Sequence, residues 1–321
     1  MLIEQTPRGL YCEAGGFYID PHLSVERAIV THGHTDHARG GMKSYLTSRS
    51  GEPIVRRRVG VRASIETLEF GEKIKINDVT VSLHPAGHIL GSAQVRVEHN
   101  GEVWVASGDY KTEPDQTCET FEPVGCDTFI TESTFAQPKY KWRPQSEIFA
   151  RINDWWQLNA LWGRATVLFG YSLGKAQRLL AGADPSIGPI LVYHTVDSFC
   201  AAYKLSNITF PEYQIIDETT IANYKGKGAL IIAPSEIRKT GILDLIGEYE
   251  TGFASGWMLS KSSMRSMNYD AGFALSDHAD WEGLLSAIKQ TGAHRVFSMH
   301  GFTDILTTYL KSQGYDAHEM R

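Results

Sequence analysis

Four side chains that commonly bind metals occur in one short segment of the sequence, THGHTDH, directly after the apolar run RAIV. They are His32, His34, Asp36 and His37. Imidazole nitrogens and carboxylate oxygens both ligate Zn²⁺ at roughly 2.0–2.2 Å, and a loop in which they alternate can direct adjacent side chains toward two neighbouring ions. The segment therefore predicts a metal-binding loop at the end of a strand.

Two further candidate ligands lie near the ends of apolar runs downstream. His88 stands in LHPAGHILGSA and Asp109 in VWVASGDY. Each is close to a glycine, which lets the backbone pass near a ligand. A histidine such as His88, taken alone, is more often structural, but the preceding HGHTDH segment favours a ligand role for it.

The pattern of apolar residues, glycines and prolines along the chain indicates which secondary-structure elements position these residues. Upstream of Pro138, short β-rich runs separated by Gly, Pro and Asp predict sheet strands joined by loops. Downstream, the apolar-periodic segment SEIFARINDWWQLNALWG predicts a long helix, and alternating strand and helix signals follow it. We therefore predict an α/β protein in which one α/β domain is inserted into another, divided as 1–137, 138–268 and 269–321.

Composition limits the class of protein. Hydrophobic residues make up 42% of the chain and charged residues 21%, as in folded globular proteins. The 31 Lys and Arg against 37 Asp and Glu leave a net charge of -6, so a nucleic-acid site must be a local patch. Four cysteines without CxxC spacing, no secretory signal and no long apolar run predict a cytoplasmic protein with reduced thiols and no membrane anchor.

The motifs HGHTDH, GHILGSA and SGDY match, in this order, the metal-binding motifs of the metallo-β-lactamase fold, and the chain resembles that superfamily. Three more motifs resemble its β-CASP nuclease branch, namely Glu132 in TESTF, His278 in SDHAD and His300 in SMHG. Asp20 in FYIDP matches the aspartate that precedes the histidine motif. The segments GGFYIDP, ESTFA, FGYSLGKAQRL and GFALSDHADW together are most similar to bacterial ligase-associated DNA exonucleases. The resemblance implies a metallo-β-lactamase αββα sandwich built from both chain ends, with an α/β β-CASP domain inserted between them.

The resemblance also implies a role for each matched residue. One divalent ion would be held by His32, His34 and His88 and a second by Asp36, His37 and His300, with Asp109 bridging the two. The ions would be Zn²⁺, with Mn²⁺ as an alternative for a mixed His and carboxylate site. Two ions about 3.5–4 Å apart acidify a shared water and stabilise an in-line phosphodiester displacement. His278 would act as the general acid, Glu132 would orient and charge it, and Asp20 would receive the N–H of a ligand.

The segment GYSLGKAQR has some features of a phosphate-binding loop. It is not a Walker A element, because three residues separate Gly170 from Gly174 and Ala176 stands where Ser or Thr is required. It follows the apolar run ATVLFG and begins a helix, so its backbone N–H groups are candidates to face an anion. The candidate substrate contacts are Ser172, Lys175 and Arg178. The alternative is a solvated helix start.

Basic side chains interleaved with aromatic rings suit a single strand of nucleic acid, whose phosphates meet cations while its bases stack. The segment PKYKWRPQ has this pattern, with Lys139, Lys141 and Arg143 around Tyr140 and Trp142. An exposed connector explains the same pattern equally well. Weaker candidates are the run Arg56, Arg57 and Arg58 and the pair Lys261 and Arg265.

The leading hypothesis is a two-metal DNA exonuclease acting in repair. The resemblance implies association with an ATP-dependent DNA ligase and a helicase. RNA processing is the alternative within the same chemistry, because histidine at His300 is the form associated with RNA enzymes in the superfamily. A small-molecule metallo-hydrolase is the alternative of another class, and the Glu132, His278 and His300 set argues against it. A catalytically inactive scaffold would lack ligands, and none of the seven is missing.

Overall fold

The computed structural model describes residues 1–259 and 268–320, and the chain divides into two compact units. One unit joins Met1–Lys141 to His278–Arg321, and the other comprises Trp142–Asp277. The basic pair Lys261 and Arg265 lies outside the described residues.

The described part of the chain contains strands β1 to β19 and helices α1 to α7. In chain order they are β1 Glu4–Thr6, β2 Gly9–Cys12, β3 Phe17–Ile19, β4 Arg27–Ile29, β5 Ser44–Ser48, α1 Glu52–Val59, β6 Ile65–Leu68, β7 Lys73–Ile76, β8 Val79–Pro85, β9 Ala93–His99, β10 Glu102–Ala106, β11 Thr128–Ser133, α2 Gln145–Leu161, β12 Ala165–Phe169, α3 Lys175–Ala181, β13 Ile190–Val192, α4 His194–Leu205, β14 Gln214–Ile215, α5 Glu218–Asn223, β15 Leu230–Ala233, β16 Tyr249–Ala254, β17 Ala271–Phe273, α6 Trp281–Thr291, β18 Arg295–Gly301, α7 Thr303–Ser312 and β19 Asp316–Glu319. Short 3₁₀ helices span Ser235–Lys239, Ile242–Ile246 and Gly256–Leu259.

Two sheets face each other in the first unit. One has the strand order β1-β2-β3-β4-β5-β6 and the other the order β19-β18-β11-β10-β9-β8-β7. Their shared core contains Phe17 and Ile29 from the first sheet and Val81 and Trp104 from the second, all fully buried. Burying each such side chain contributes roughly 1.5–3 kcal/mol.

Helices cover the outer faces of these two sheets. Successive strand residues point to opposite faces, so Trp104 packs between the sheets while Val105 packs outward with Leu284 of α6 and Leu306 of α7. Val55 of α1 packs against the outer face of the first sheet. The layers of this unit are therefore helix, sheet, sheet and helix.

The second unit is built on one sheet of the order β14-β13-β15-β12-β16-β17, whose neighbouring strands all pair in parallel. Apolar clusters lie on both of its faces, as expected for a parallel sheet with helical connections. The helix predicted from SEIFARINDWWQLNALWG is confirmed as α2, and its Trp156 is fully buried. The prediction of an α/β protein is thus confirmed.

The units divide after Lys141 and after Asp277, whereas the sequence-based division was drawn after 137 and after 268. Strand β17 belongs to the second unit because it pairs in parallel with β16. Such a three-residue strand carries no long-range pairing information in its own sequence.

All four cysteines are free in the structure. No helix in the described part of the chain is long and apolar enough to cross a membrane.

Candidate metal centre and adjoining histidine–glutamate pair

The candidate ligands come from loops at one edge of the first unit. Strand β9 runs antiparallel to both β8 and β10, and β10, β11 and β18 are mutually parallel, so β8, β10, β11 and β18 run in one direction. Their carboxyl ends therefore lie at the same edge of the sheet. His88 and Asp109 follow two of these ends, and Glu132 and His300 lie at the other two.

Three histidines bring ring nitrogens together at this edge. Nε2 of His32 lies 3.1 Å from Nδ1 of His34, and Nε2 of His88 lies 3.0 Å from the same atom. His32 and His88 are buried. Together with Asp109, they form a group whose potential ligand atoms all lie within 4.8 Å of one another. Three imidazoles and one carboxylate in this arrangement suit a tetrahedral Zn²⁺ site.

Asp109 occupies the centre of the cluster. Its Oδ2 atom lies 3.6 Å from Nε2 of His32, 3.7 Å from Nε2 of His88 and 3.5 Å from Nε2 of His37. One carboxylate oxygen thus faces ligands of both predicted ion sites. This is the position that a bridging ligand requires.

The second predicted set is more open. Nε2 of His37 lies 3.7 Å from Oδ2 of Asp36, whose side chain is 72% exposed, and the ring of His300 has its centroid 6.1 Å from that of His37. Among the described residues, Asp36, His37 and His300 do not form a cluster with all ligand atoms within 4.8 Å. A cavity of about 100 Å³ is lined by all three, together with Asp20 and Met299.

Backbone geometry at this second set is uncommon for residues with a side chain. His300 has φ +57° and Asp20 has φ +46°. Left-handed φ values in non-glycine residues cost free energy and are found preferentially at functional sites. The surrounding structure must therefore hold both residues in place.

Asp20 holds the histidine loop from behind. Its Oδ2 atom accepts a hydrogen bond from Nδ1 of His37 at 2.7 Å and one from Oγ1 of Thr31, and its Oδ1 atom accepts from the Thr31 N–H at 2.8 Å. The bond to His37 fixes the tautomer that presents Nε2 to Asp109. Asp20 therefore acts on His37 rather than on an ion directly.

Gly108 is required at the site because two loops approach each other closely there. Gly108 has φ +57°, and a Cβ atom there would lie 2.8 Å from Cβ of Thr31. Only glycine adopts this conformation freely and leaves this space. It lets the loop that carries Asp109 pass directly beside the loop that carries His32.

Electrostatics separate the histidines into two kinds. Burial, reinforced by the neighbouring His37, His88 and His34, lowers the pKa of His32 well below its usual value. Burial also opposes protonation of His37, but the carboxylates of Asp109 and Asp20 outweigh it and raise the pKa of His37 to about 10. The lone pair of His32 is thus available to an ion, whereas His37 must release a proton to bind one.

The surrounding imidazoles also change the pKa of Asp109. Burial alone would raise the pKa of this carboxyl group, but the surrounding imidazoles, with His37 the strongest, hold it below its usual range. Asp109 is therefore an anion in the midst of nitrogen ligands. Nitrogen-rich donors with a central carboxylate fit a divalent cation, and Zn²⁺ suits them best.

A histidine–glutamate pair adjoins the cluster. Nδ1 of His278 lies 3.0 Å and 2.9 Å from the two carboxylate oxygens of Glu132, which is buried. The Tyr110 N–H donates to Oε1 of Glu132 at 2.7 Å and so fixes the carboxylate. Potential ligand atoms of Asp109, Glu132 and His278 lie within 4.8 Å of one another, so the pair and the cluster share Asp109.

Sequence reasoning did not single out Thr31 and Tyr110, which hold Asp20 and Glu132 in place. Their positions directly before His32 and after Asp109 are the only sequence signal that could have pointed to them. Backbone donors carry no residue-type signature, so the Tyr110 contact requires the fold.

The candidate substrate contacts in GYSLGKAQR lie in a different setting from the one expected. Lys175 and Arg178 are buried and form ion pairs with Asp277 at 2.9 Å and 2.7 Å. Ser172 contacts Thr195 Oγ1 at 3.0 Å. Both cations are therefore engaged inside the protein rather than extended toward a phosphate.

The N–H groups at the start of α3 also bond within the segment. Those of Gly174, Lys175 and Ala176 donate to Gln177 Oε1, Leu173 O and Tyr171 O, respectively. The expected use of these groups to face an anion is therefore replaced by local hydrogen bonds.

The basic segment around Tyr140 is exposed only in part. Tyr140 is buried between Phe135 and Phe302, while Lys141 pairs with Glu282 and Arg143 with Glu147 at the surface. Buried Tyr140 is not placed to stack on a base.

The chain is similar to proteins named for nucleic-acid enzymes. It is 30% identical over 312 residues to a probable DNA ligase from Opitutus terrae, a match that covers 96% of this chain and 30% of the ligase. It is 28% identical over 141 residues to the endoribonuclease ysh-1 of Neurospora crassa, covering 43% of this chain and 16% of that protein. The Saccharomyces cerevisiae endoribonuclease YSH1 is 27% identical over 122 residues, which are 37% of this chain and 15% of that protein.

The chain thus spans less than a third of the length of these curated relatives. No family model matches it. Among solved structures, a protein of unknown function from Enterococcus faecalis V583 superposes with a TM-score of 0.63 at 12% identity, over 91% of this chain and 78% of that one. That likeness concerns the fold alone.

Proposed function

We propose that this chain is a two-metal phosphodiesterase of the β-CASP branch of the metallo-β-lactamase superfamily, which hydrolyses DNA from an end. The observation that carries the proposal is the central place of Asp109. Its carboxylate belongs both to the three-histidine cluster and to the group that contains Glu132 and His278. A cation site and a proton donor that share one carboxylate are the two components that phosphodiester hydrolysis requires.

The described residues bring one complete set of candidate ligands together, at His32, His34, His88 and Asp109, and a second ion is proposed beside it. His32, His34 and His88 would hold one, Asp36, His37 and His300 the other, and Asp109 both. Such ions, when bound, lower the pKa of water and neutralise charge that develops on the phosphate. Zn²⁺ is the proposed occupant, with Mn²⁺ as the alternative.

The protein's own part in the reaction is proton transfer at the leaving group. As the oxygen of water joins phosphorus, the bond from phosphorus to the leaving oxygen breaks, and that oxygen takes up a proton. Nδ1 of His278 faces Glu132, so the proton for transfer resides on Nε2. The Glu132 carboxylate lies within hydrogen-bond distance of Nδ1 and so fixes the orientation of the imidazole ring.

The similarity to the Opitutus terrae ligase supports DNA as substrate and ligation as the linked activity. That match extends over 96% of this chain, whereas the endoribonuclease matches extend over 43% or less. A segment similar to nearly all of this chain makes up 30% of that protein, which is named as a probable DNA ligase. We propose that this chain acts on ends that an ATP-dependent DNA ligase then joins. The helicase association stays a prediction from the resemblance.

RNA processing is the second candidate function. The similarity to two endoribonucleases named Ysh1 and the presence of histidine at His300 both favour it. A small-molecule hydrolase would need the metal cluster alone and leaves the His278–Glu132 pair without a role.

Digestion of matched DNA and RNA oligonucleotides tests the proposal. Each is labelled at the 5′ or the 3′ end and incubated with protein reconstituted with Zn²⁺ or Mn²⁺, with His278→Ala as the inactive control. We expect DNA to shorten progressively from one end in the wild type only. Internal cleavage confined to RNA would transfer the assignment to the second candidate, and intact substrates of both kinds would refute nuclease function.

A further inference from the structure

Two cations are buried in the second unit without a part in the chemistry proposed above. Lys175 and Arg178 of α3 are each 2% exposed. Both contact Oδ1 of Asp277, Lys175 through Nζ at 2.9 Å and Arg178 through Nη1 at 2.7 Å. Burying charges costs more than their attraction returns in many proteins, so such a group is weak evidence for stability as its purpose.

Three consecutive residues provide acceptors for these two cations. Nζ of Lys175 also donates to the carbonyl of Leu275, and Nη1 of Arg178 donates to the carbonyl of Ser276 at 2.7 Å. With the Asp277 carboxylate, α3 therefore holds both the backbone and a side chain of the segment 275–277. We call these contacts the α3 clamp.

His278 is the next residue of the chain, and the segment is also held on its far side. The Ala279 N–H donates to the carbonyl of Tyr110 at 2.8 Å, and the Asp280 side chain caps the start of α6. The Tyr110 N–H in turn fixes Glu132, the partner of His278. The histidine thus stands between two anchored stretches of backbone.

The segment that begins α3 is shaped to direct Lys175 inward. A Cβ atom on Gly170 would lie 2.6 Å from Cγ of Lys175, so the lysine stem packs on bare backbone. Gln177 braces the same turn, because its Oε1 accepts from Gly174 N and its Nε2 donates to Ser172 O. These contacts explain the GYSLGKAQR motif without a bound phosphate.

We propose that the α3 clamp makes Lys175, Arg178 and Asp277 positioning residues for His278, holding its backbone so that the imidazole meets the leaving oxygen. This inference rests on the proposed role of His278 as general acid. Proton transfer demands placement within hydrogen-bond reach, and a displacement of about 1 Å can lower a rate by about 100-fold.

The first test measures the backbone and needs no activity. Hydrogen–deuterium exchange is compared between wild type, Lys175→Met, Arg178→Met and the control Arg164→Met, which removes an exposed cation paired with Glu248 in the same unit. We expect peptides covering 274–281 to exchange at least 5-fold faster in the two clamp variants and at the wild-type rate in the control. Unchanged exchange there overturns the clamp, whatever the protein cleaves.

The second test uses leaving groups of different basicity. An alkoxide leaving from DNA needs a proton from His278, whereas the 4-nitrophenolate of bis(4-nitrophenyl) phosphate leaves readily without one. We expect the clamp variants to lower kcat on DNA by about 10- to 100-fold with KM within about 3-fold. On the nitrophenyl ester, their kcat should stay within about 3-fold of wild type.

Outcomes of the second test separate positioning from general damage. Equal losses on both substrates, or loss of bound metal, would mean that the clamp supports the fold only and would overturn the inference. Arg178→Lys keeps a cation in place and should recover most of the DNA activity that Arg178→Met loses. A wild type that cleaves no nucleic acid would refute the proposed function and with it this role, while the exchange data would still report whether the clamp holds the segment.

Discussion

Nδ1 of His37 lies 2.7 Å from Oδ2 of Asp20, a residue with a left-handed backbone conformation at φ +46°. The two are seventeen positions apart and meet because β3 and β4 are parallel neighbours in the first sheet. The contact fixes which nitrogen of His37 faces Asp109. Asp20 therefore sets the orientation of His37, a candidate ligand, without being proposed as a ligand itself.

Asp20→Ala should weaken binding of the second ion while leaving the three-histidine site loaded. Losing such a supporting carboxylate lowers metal affinity or activity by about 10- to 100-fold. Titration calorimetry on metal-free protein should resolve one unaltered and one weakened site. Glu26→Ala, which removes only an exposed pair with Lys43, is the matched control and should bind both ions normally.

Asp109→Asn should lower the content of both ions and remove most nuclease activity. Its Oδ2 atom faces His32, His37 and His88 at 3.5–3.7 Å, and a neutral amide is a poor bridge between two cations. Metal analysis after gel filtration measures the effect, with the exposed Asp78→Asn as control. Wild-type metal content in Asp109→Asn would refute the bridging role.

His278→Ala should lower turnover on DNA by about 100- to 10,000-fold, the usual contribution of a general acid, with metal content unchanged. Glu132→Gln should show a smaller loss in the same direction, because the imidazole remains but its anionic partner does not. Single-turnover kinetics beside metal analysis distinguish the roles. Since Asp109, Glu132 and His278 also form a possible ligand group, loss of an ion from His278→Ala would make this histidine a ligand instead.

Gly108→Ala should destabilise the fold by more than its backbone conformation alone explains. The added methyl group would carry a left-handed φ of +57° and lie 2.8 Å from Cβ of Thr31. Gly292→Ala has a similar φ of +68° with nothing within 4 Å, so it reports the cost of the conformation by itself. In urea unfolding, we expect Gly292→Ala to lower the free energy of unfolding by about 1 kcal/mol. Gly108→Ala should lower it by about 1–3 kcal/mol more than that. Equal losses in the free energy of unfolding would mean that the loops of Gly108 and Thr31 can move apart without cost.

Local patterns in the sequence were sufficient for much of the architecture. Apolar periodicity predicted α2 to within a few residues, since a 17-residue amphipathic helix repeats its signal over several turns. The second unit extends to Asp277, beyond the 268 drawn from sequence, because β17 has three residues and is defined by its pairing with β16. Short strands take their place from partners, which a single local window does not contain.

In the candidate site, too, local spacing was predictable from sequence whereas long-range contacts were not. Spacing within HGHTDH was enough to predict a shared loop for His32, His34 and His37. The ends of apolar runs pointed to His88 and Asp109, and the motif match added His300 as a candidate ligand. Only the fold brought His88 to 3.0 Å from His34 across fifty-four positions of sequence. The distances at Asp109 follow from strands that end at one edge of the sheet.

The sequence by itself determined which side chains are candidates for metal binding and proton transfer, because residue type and close spacing are local properties. Tertiary structure decided where the side chains of Lys175 and Arg178 lie. At the start of a helix they read as exposed phosphate contacts, but their partner Asp277 lies about a hundred residues further along the chain. Burial and long-range ion pairing arise only when the chain folds, so the buried setting of these two cations was visible only in three dimensions.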